Sequence, residues 1–295
     1  MHISEILNNN KISFSFEFFP PKDNTASEKL FKTIKELNSL KPAYVSVTYG
    51  AGGTTRDLTH DLVLRIQRET SLTVVSHLTC VGTSEALVEN LLNDYQNNGI
   101  NNIMVLRGDN PKGEPCSDTK QDFAYAKDLV SYIRKNFPSM GIGVAGYPEG
   151  HPGTPNRLKE IEYLKAKVDA GADYICTQLF FDNNDFYDFC ERCELAGIDV
   201  PILAGIMPIT SQKGMHRMAE LASGTRYPAK LLKALSRAED DSGFEKVGIH
   251  WATEQVLDLI DHGVKGIHFY TLNRSKATLK IYDSLGVRSS AGLVK

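Results

Sequence analysis

The chain has 295 residues, 41% of them hydrophobic and 23% charged, the balance of a globular protein with enough length for one large core. A net charge of -3 gives no clustered cationic surface for nucleic acid or an anionic membrane, and no apolar run approaches the roughly 18 residues that span a bilayer. The first residues, MHISEILNNNK, lack a basic start followed by an apolar stretch, so a cytoplasmic protein is expected. Cysteines at positions 80, 116, 176, 190 and 193 are odd in number, which fits reduced thiols rather than a disulfide framework.

Runs with strand character follow one another at 12–19, 43–50, 72–80, 101–109, 142–149, 174–181, 200–208 and 266–273. Between them lie segments with helical spacing, several ending in Gly just before the next strand, as a helix C-cap does. A repeat of roughly 30 residues per strand and helix is the pattern of consecutive βα units on a parallel sheet. It predicts an α/β fold, a closed (β/α)8 TIM barrel, as a single domain over residues 1–295. Extra helices are expected around 211–222 and 226–238, in the long interval before the last strand. The competing fold, an open doubly wound sheet, has about five or six strands and a phosphate loop after the first. Gly141, Gly143 and Gly146 do spell G-x-G-x-x-G, but before and within a predicted strand, where that motif has no phosphate to hold. Cys190 and Cys193 form a C-x-x-C on a helical segment with no second ligand pair, so no metal is expected.

A barrel strand buries one face against the interior and the other against the helices. In the first run Ile12, Phe14, Phe16 and Phe18 share one face, and Ser13, Ser15 and Glu17 the other. The polar face is explained if it looks into the barrel's C-terminal mouth, where this fold keeps its catalytic groups. Other runs end alike, with Thr48 and Tyr49, His77 and Thr79, Arg107 and Asp109, Tyr147 and Glu149, Gln178, then Asn273 and Arg274. Each has a plainer reading: His77 as a satisfied core histidine, Arg107 with Asp109 as an ion pair, Gln178 as a backbone partner. So many polar ends would be costly to desolvate in a merely structural core, and a functional rim is expected. The loop GAGGTTRD offers glycines for close backbone approach and Thr54 or Thr55 as a helix N-cap. The loop YPEGHPGT, with Tyr147 and His151, suits the covering of a flat aromatic ligand.

Taken together, FSFEFFPPK, SVTYGAGGTTRDLTH, HLTC, LRGD, GYPEGHP, LKAKVDAGADYICTQLFF, GIMPI and HFYTLNR resemble, in order and over essentially the whole chain, the catalytic domain of the 5,10-methylenetetrahydrofolate reductase family. The resemblance implies a barrel that holds FAD, takes hydride from NADH or NADPH, and reduces methylenetetrahydrofolate to 5-methyltetrahydrofolate. It implies a ping-pong scheme feeding methionine synthesis and one-carbon metabolism. Glu17 is implied as the general acid that assists opening of the imidazolidine ring at N10. A carboxyl among aromatic groups, as the neighbouring sequence suggests, has its charged form disfavoured, which suits that role. Asp109 is implied beside both flavin and pterin. Thr48, Tyr49, Ala51, His77, Arg107, Gly108, Ala126, Tyr147, His151 and Lys167 match positions that contact FAD. Gln178 matches a residue shared by folate and nicotinamide, Leu272 one near the nicotinamide, and Arg274 one at the folate.

The partners implied are small molecules and further copies of the chain, as a homo-oligomer. Glu160 and Tyr163 stand where some enterobacterial relatives have Asp and Asn, so those cofactor contacts are not carried over. The regulatory domain of eukaryotic relatives has no counterpart here, and feedback through it is not expected. A barrel aldolase or lyase, the alternative of another reaction class, would carry a Schiff-base lysine inside a strand end, and the strand runs contain no lysine. A non-catalytic flavin or folate binder is the third reading, and the intact Glu17 argues against it.

Overall fold

The computed structural model describes residues 1–49, 56–109, 122–222 and 224–293. Ala51, Thr54, Thr55 and Cys116 therefore lie outside the described residues. The strands are β1 (Ser13–Phe18), β2 (Tyr44–Val47), β3 (Val74–Thr79), β4 (Asn102–Leu106), β5 (Gly141–Gly146), β6 (Tyr174–Thr177), β7 (Ile202–Ile206) and β8 (Gly266–Tyr270). They pair in parallel in sequence order, and β8 returns to β1 to close the barrel. The expected (β/α)8 architecture is what the chain adopts.

Around the barrel run α2 (Asn24–Asn38), α3 (Arg56–Glu69), α4 (Glu85–Asn97), α5 (Ala126–Asn136), α6 (Arg157–Asp169) and α7 (Asn183–Leu195). The interval between β7 and β8 holds α8 (Gln212–Leu221), α9 (Ala229–Leu235) and α10 (Asp241–Asp261), and α11 (Lys276–Ser284) follows β8. Among the described residues no helix is long and apolar enough to cross a membrane.

Several strands stop short of the runs read from sequence. Arg107, Asp109, Tyr147, Glu149, Gln178 and Asn273 lie in the loops just beyond the strand ends. Those loops are the segments from which barrel sites are built.

An additional helix, α1 (Ile3–Asn9), was not among the expected elements. His2 caps it, its side chain accepting from Ser4 N, while Glu5 reaches back to His2 N in a capping box. Ile3, Ile6 and Leu7 pack against Tyr44, Val75, Met104, Tyr174 and Leu203, closing the N-terminal end of the barrel. Asn102 fastens the plug: its Oδ1 accepts from Ile3 N at 2.9 Å and its Nδ2 donates to Met1 O at 2.9 Å.

The aromatic face of β1 points away from the interior. Phe14 and Phe16 meet Tyr282 of α11 edge-on, with ring centroids 6.2 and 6.5 Å apart. Glycine sets the packing inside. A Cβ at Gly143 would lie 2.3 Å from Tyr174 Cζ, so the G-x-G-x-x-G of β5 makes room for an aromatic ring and is not a phosphate loop.

Candidate active site

The inner face of β1 delivers Glu17 to the C-terminal mouth with its side chain 18% exposed. Its Oε2 lies 3.6 Å from His77 Nε2 on β3 and 3.7 Å from His268 Nε2 on β8. His77 Nε2 is buried and has no hydrogen-bond partner, so this is not a satisfied core histidine. Burial above all pushes the His77 imidazole below its usual pKa, with Glu17 opposing and His268 adding to the effect. The phenylalanines adjacent in sequence do not surround the carboxyl. Strand alternation sends them to the opposite face, and the acid's neighbours are imidazoles.

A clamp at the end of β8 fixes the acid's backbone. Thr271 Oγ1 donates to Glu17 O at 2.6 Å. Asn273 accepts from Phe19 N at 2.9 Å and donates to Phe19 O at 2.8 Å. To reach there, the chain places Leu272 and Asn273 at φ 50° and 57°, a left-handed pair that costs roughly 1–2 kcal/mol per residue. The three hydrogen bonds offset that cost.

Beside the clamp opens a cavity of about 410 Å³ lined by Tyr270, Leu272, Arg274, Lys276, Ser211 and Glu245, among others. It brings together two of the substrate positions named above, Leu272 and Arg274. Gln178 is half-buried just past β6, with its Oε1 accepting from Leu179 N at 2.9 Å.

The other side of the mouth is formed by the ends of β2 to β5. Gly108 has φ 81°, and a Cβ there would lie 2.8 Å from Thr79 Cβ, so both backbone and packing require glycine. Arg107 and Asp109 flank it, exposed, and among the described residues they form no ion pair with each other. Tyr147 sits edge-on to His151 at 4.9 Å. Burial first, then Glu160 and Asp109, pushes the Tyr147 hydroxyl up to about 12. Glu160 is buried and accepts from His151 N at 3.2 Å. Lys167 Nζ donates to Ala145 O at 2.6 Å, and burial pulls its amine down to about 8 against the pull of Glu160.

Tyr49 OH accepts from Arg56 Nε at 3.0 Å, Thr48 O accepts from Thr59 Oγ1 at 3.0 Å, and Ala126 opens α5, half-buried. Glu149 does not join the rim as expected. Its Oε1 accepts from Arg226 N and Nε, each at 2.9 Å, in an ion pair that ties the β5 loop to the segment between α8 and α9.

The donor set along β3 to β5 and α6 fits a large ligand with a flat ring and an anionic tail. It comprises the unpaired His77 Nε2, the cationic Arg107 and Lys167, and the Tyr147–His151 ring pair. Cys193 is buried and Cys190 half-buried on α7, and among the described residues no group of three or more His, Cys, Asp or Glu side chains could hold a metal ion.

A family profile described as methylenetetrahydrofolate reductase matches residues 2–286. The chain belongs to the methylenetetrahydrofolate reductase family. It is 40% identical over 279 residues to the 5,10-methylenetetrahydrofolate reductase of Escherichia coli strain K12, covering 94% of this chain and 92% of that protein. It is also 40% identical to methylenetetrahydrofolate reductase (NADH) 1 of Arabidopsis thaliana, covering 97% of this chain but only 50% of the plant protein. The chain thus spans about half the length of that relative.

Among solved structures, a Clostridium thermocellum protein described as binding two copies of 5-methyl-5,6,7,8-tetrahydrofolic acid superposes with TM-score 0.67 at 15% identity, covering 97% of this chain and 99% of that one. A 2,3-dimethylmalate lyase superposes with TM-score 0.53 at 12% identity, covering 96% and 84%. At these identities the likeness concerns the barrel alone, which hosts lyases too. The family assignment rests on the sequence matches.

Proposed function

We propose that the chain, as one catalytic barrel over residues 1–295, reduces 5,10-methylenetetrahydrofolate to 5-methyltetrahydrofolate in a ping-pong cycle. FAD is the bound cofactor, NADH or NADPH the electron donor, and the product feeds methionine synthesis in the cytoplasm. The observation that carries this reading is the Glu17 carboxyl at the barrel mouth, its Oε2 between two imidazole nitrogens at 3.6 and 3.7 Å, in a chain of this family.

When bound, FAD supplies the hydride chemistry, relaying the nicotinamide's hydride to the folate carbon. Thr48, Tyr49, Ala51, His77, Arg107, Gly108, Asp109, Ala126, Tyr147, His151 and Lys167 would hold it, the two cations meeting its anionic groups. Glu17 gives its proton to N10 of the folate as the C–N bond opens, so that the leaving amine departs neutral. Its partial exposure keeps it open to the substrate, while the clamp by Thr271 and Asn273 holds it in place. Asp109 and Gln178 orient the pterin, Leu272 borders the nicotinamide, and Arg274 offers a guanidinium to the folate. Family membership supports a homo-oligomer.

Purified protein should take up FAD, bleach anaerobically with NADH, and recover its yellow colour when methylenetetrahydrofolate is added. A preparation that cannot take up FAD, or that the folate fails to reoxidise, overturns the proposal. Comparing bleaching rates with NADH and NADPH assigns the donor.

A further inference from the structure

The loop after β5 carries Tyr147 and His151, and it is held from three sides. From α6, the Glu160 carboxylate accepts from His151 N at 3.2 Å. From α7, Arg192 Nη2 donates to Pro148 O at 3.1 Å. The third hold comes from the segment 224–227, between α8 and α9. There Arg226 N and Nε both donate to Glu149 Oε1 at 2.9 Å, and Arg226 Nη2 donates to Asp185 in the first turn of α7. A Cβ at Gly224, φ 98°, would lie 3.1 Å from Gly150 O and 3.2 Å from Pro152 Cγ, so the segment lies directly on the loop.

The two partners of this ion pair are unequally exposed: the Glu149 side chain is 5% exposed and that of Arg226 61%. A buried carboxylate costs free energy unless it is paired, and Glu149 Oε2 has no partner among the described residues. Burial pushes the Glu149 carboxyl up, and the hydrogen bonds from Arg226 oppose that push. Without Arg226 the carboxyl must take up a proton or turn out to water, and either ends the hold on the backbone between Tyr147 and His151. The segment has anchors of its own. Tyr227 stacks on Phe181 at 4.7 Å and 23°, and its OH donates to Met215 O at 2.9 Å. Thr225 Oγ1 donates to Leu179 O at 3.3 Å. Arg226 is thus the fixed point, and the loop is the part that moves when the pair breaks.

We propose that Arg226 is a positioning residue for the cofactor: paired with Glu149, it sets the loop so that Tyr147 and His151 meet FAD, and bound FAD in turn strengthens the pair. The inference rests on the reading of the chain as an FAD-dependent reductase. Such coupling is reciprocal, so the factor by which the pair tightens FAD is the factor by which FAD stabilises the pair. An ion pair serving the fold alone would stabilise the apo-protein and the FAD-loaded protein equally.

The test measures FAD affinity directly. Flavin fluorescence during titration of the apo-protein gives the Kd for FAD, and urea unfolding with and without a fixed excess of FAD gives the stabilisation the cofactor confers. Arg226→Met, which keeps the length of the side chain without its charge, should raise the Kd about 5- to 50-fold. The stabilisation by FAD should shrink to match. Arg226→Lys keeps the charge but loses the fork that serves two carboxylates, and its Kd should lie between those of Arg226→Met and wild type. Glu149→Gln in the Arg226→Met background removes the charge left buried, so part of the affinity should return. Arg226→Lys decides the matter where Arg226→Met fails to fold.

An unchanged Kd in both Arg226 variants, or an equal loss of stability in apo-protein and loaded protein, reduces the pair to a structural tie and overturns the inference. A wild-type chain that cannot take up FAD removes the proposed function and the inference with it. A wild type that binds FAD beside variants that bind it equally well removes the inference alone.

Discussion

At the N-terminal end of the barrel the interior is filled by Tyr44, Val75, Met104, Tyr174 and Leu203, sealed beneath by Ile3, Ile6 and Leu7 of α1. Farther along the same inner faces stands Glu17, partly open to the mouth, with His77 and His268 buried beside it. Burying apolar side chains stabilises the lower layer by roughly 1.5–3 kcal/mol each. Holding imidazoles and a carboxyl partly out of water costs free energy in the upper one. Side chains alternating along a strand separate inside from outside; position along the strand separates stability from chemistry.

Substitutions at the two ends should therefore have different readouts. Glu17→Gln should lower flavin reoxidation by the folate about 10²–10⁴-fold, far more than it lowers reduction by NADH, with the urea unfolding midpoint close to wild type. A large loss of stability in that variant would break the division. Leu7→Ala, in the plug, should cost about 2–5 kcal/mol in urea unfolding, while the rate per folded molecule at the mouth stays near wild type. Asn273→Ala joins the two readouts. Losing its two hydrogen bonds to Phe19 should cost about 1–3 kcal/mol and slow the folate half-reaction several-fold, because the backbone next to Glu17 is released. If only stability falls, the clamp has no part in holding the acid.

Much of this was legible in the sequence, for physical reasons. The βα repeat announced the barrel because each unit must bury its own apolar face, and the Ser-Ser-Glu alternation of β1 marked the inner face because the pleat has a period of two. His268 was not recognised. Its partners Ser15 and Ser46 are 253 and 222 residues away and reach it only when β8 closes on β1. The available signal was the inner alternation of Gly266, His268 and Tyr270, with one polar side chain below the strand end where the rim residues were sought. Glu149 was placed on the rim because it follows β5, but Arg226, 77 residues on, draws it into an ion pair. The aromatic surroundings expected of Glu17 came from reading along the chain rather than across the strand. The α1 plug carried a usable cue in His2 with Glu5, masked by the Asn run that follows.

Lys167, reaching from α6 to the end of β5, tests how far the wall of the mouth excludes water. With its amine near 8 in the folded chain against its usual 10.5, the unfolded state binds more protons between those values. Stability should therefore rise with pH across that window, with a slope of at most about 1.4 kcal/mol per pH unit. Below pH 8 both states are protonated and the contribution is flat. Other groups titrate in the same range, so the measurement is the difference between wild type and Lys167→Met in urea unfolding at stepped pH. A difference that does not grow from pH 8 to 10.5 means that water reaches the amine despite its bond to Ala145 O. Saturating FAD supplies a second arm. An anionic group near Nζ favours the charged lysine, so the rise should flatten with the cofactor bound, and proton uptake should accompany FAD binding above pH 8. A slope unchanged by FAD would place the cofactor's anionic groups away from Lys167 and leave Arg107 as the cation that meets them.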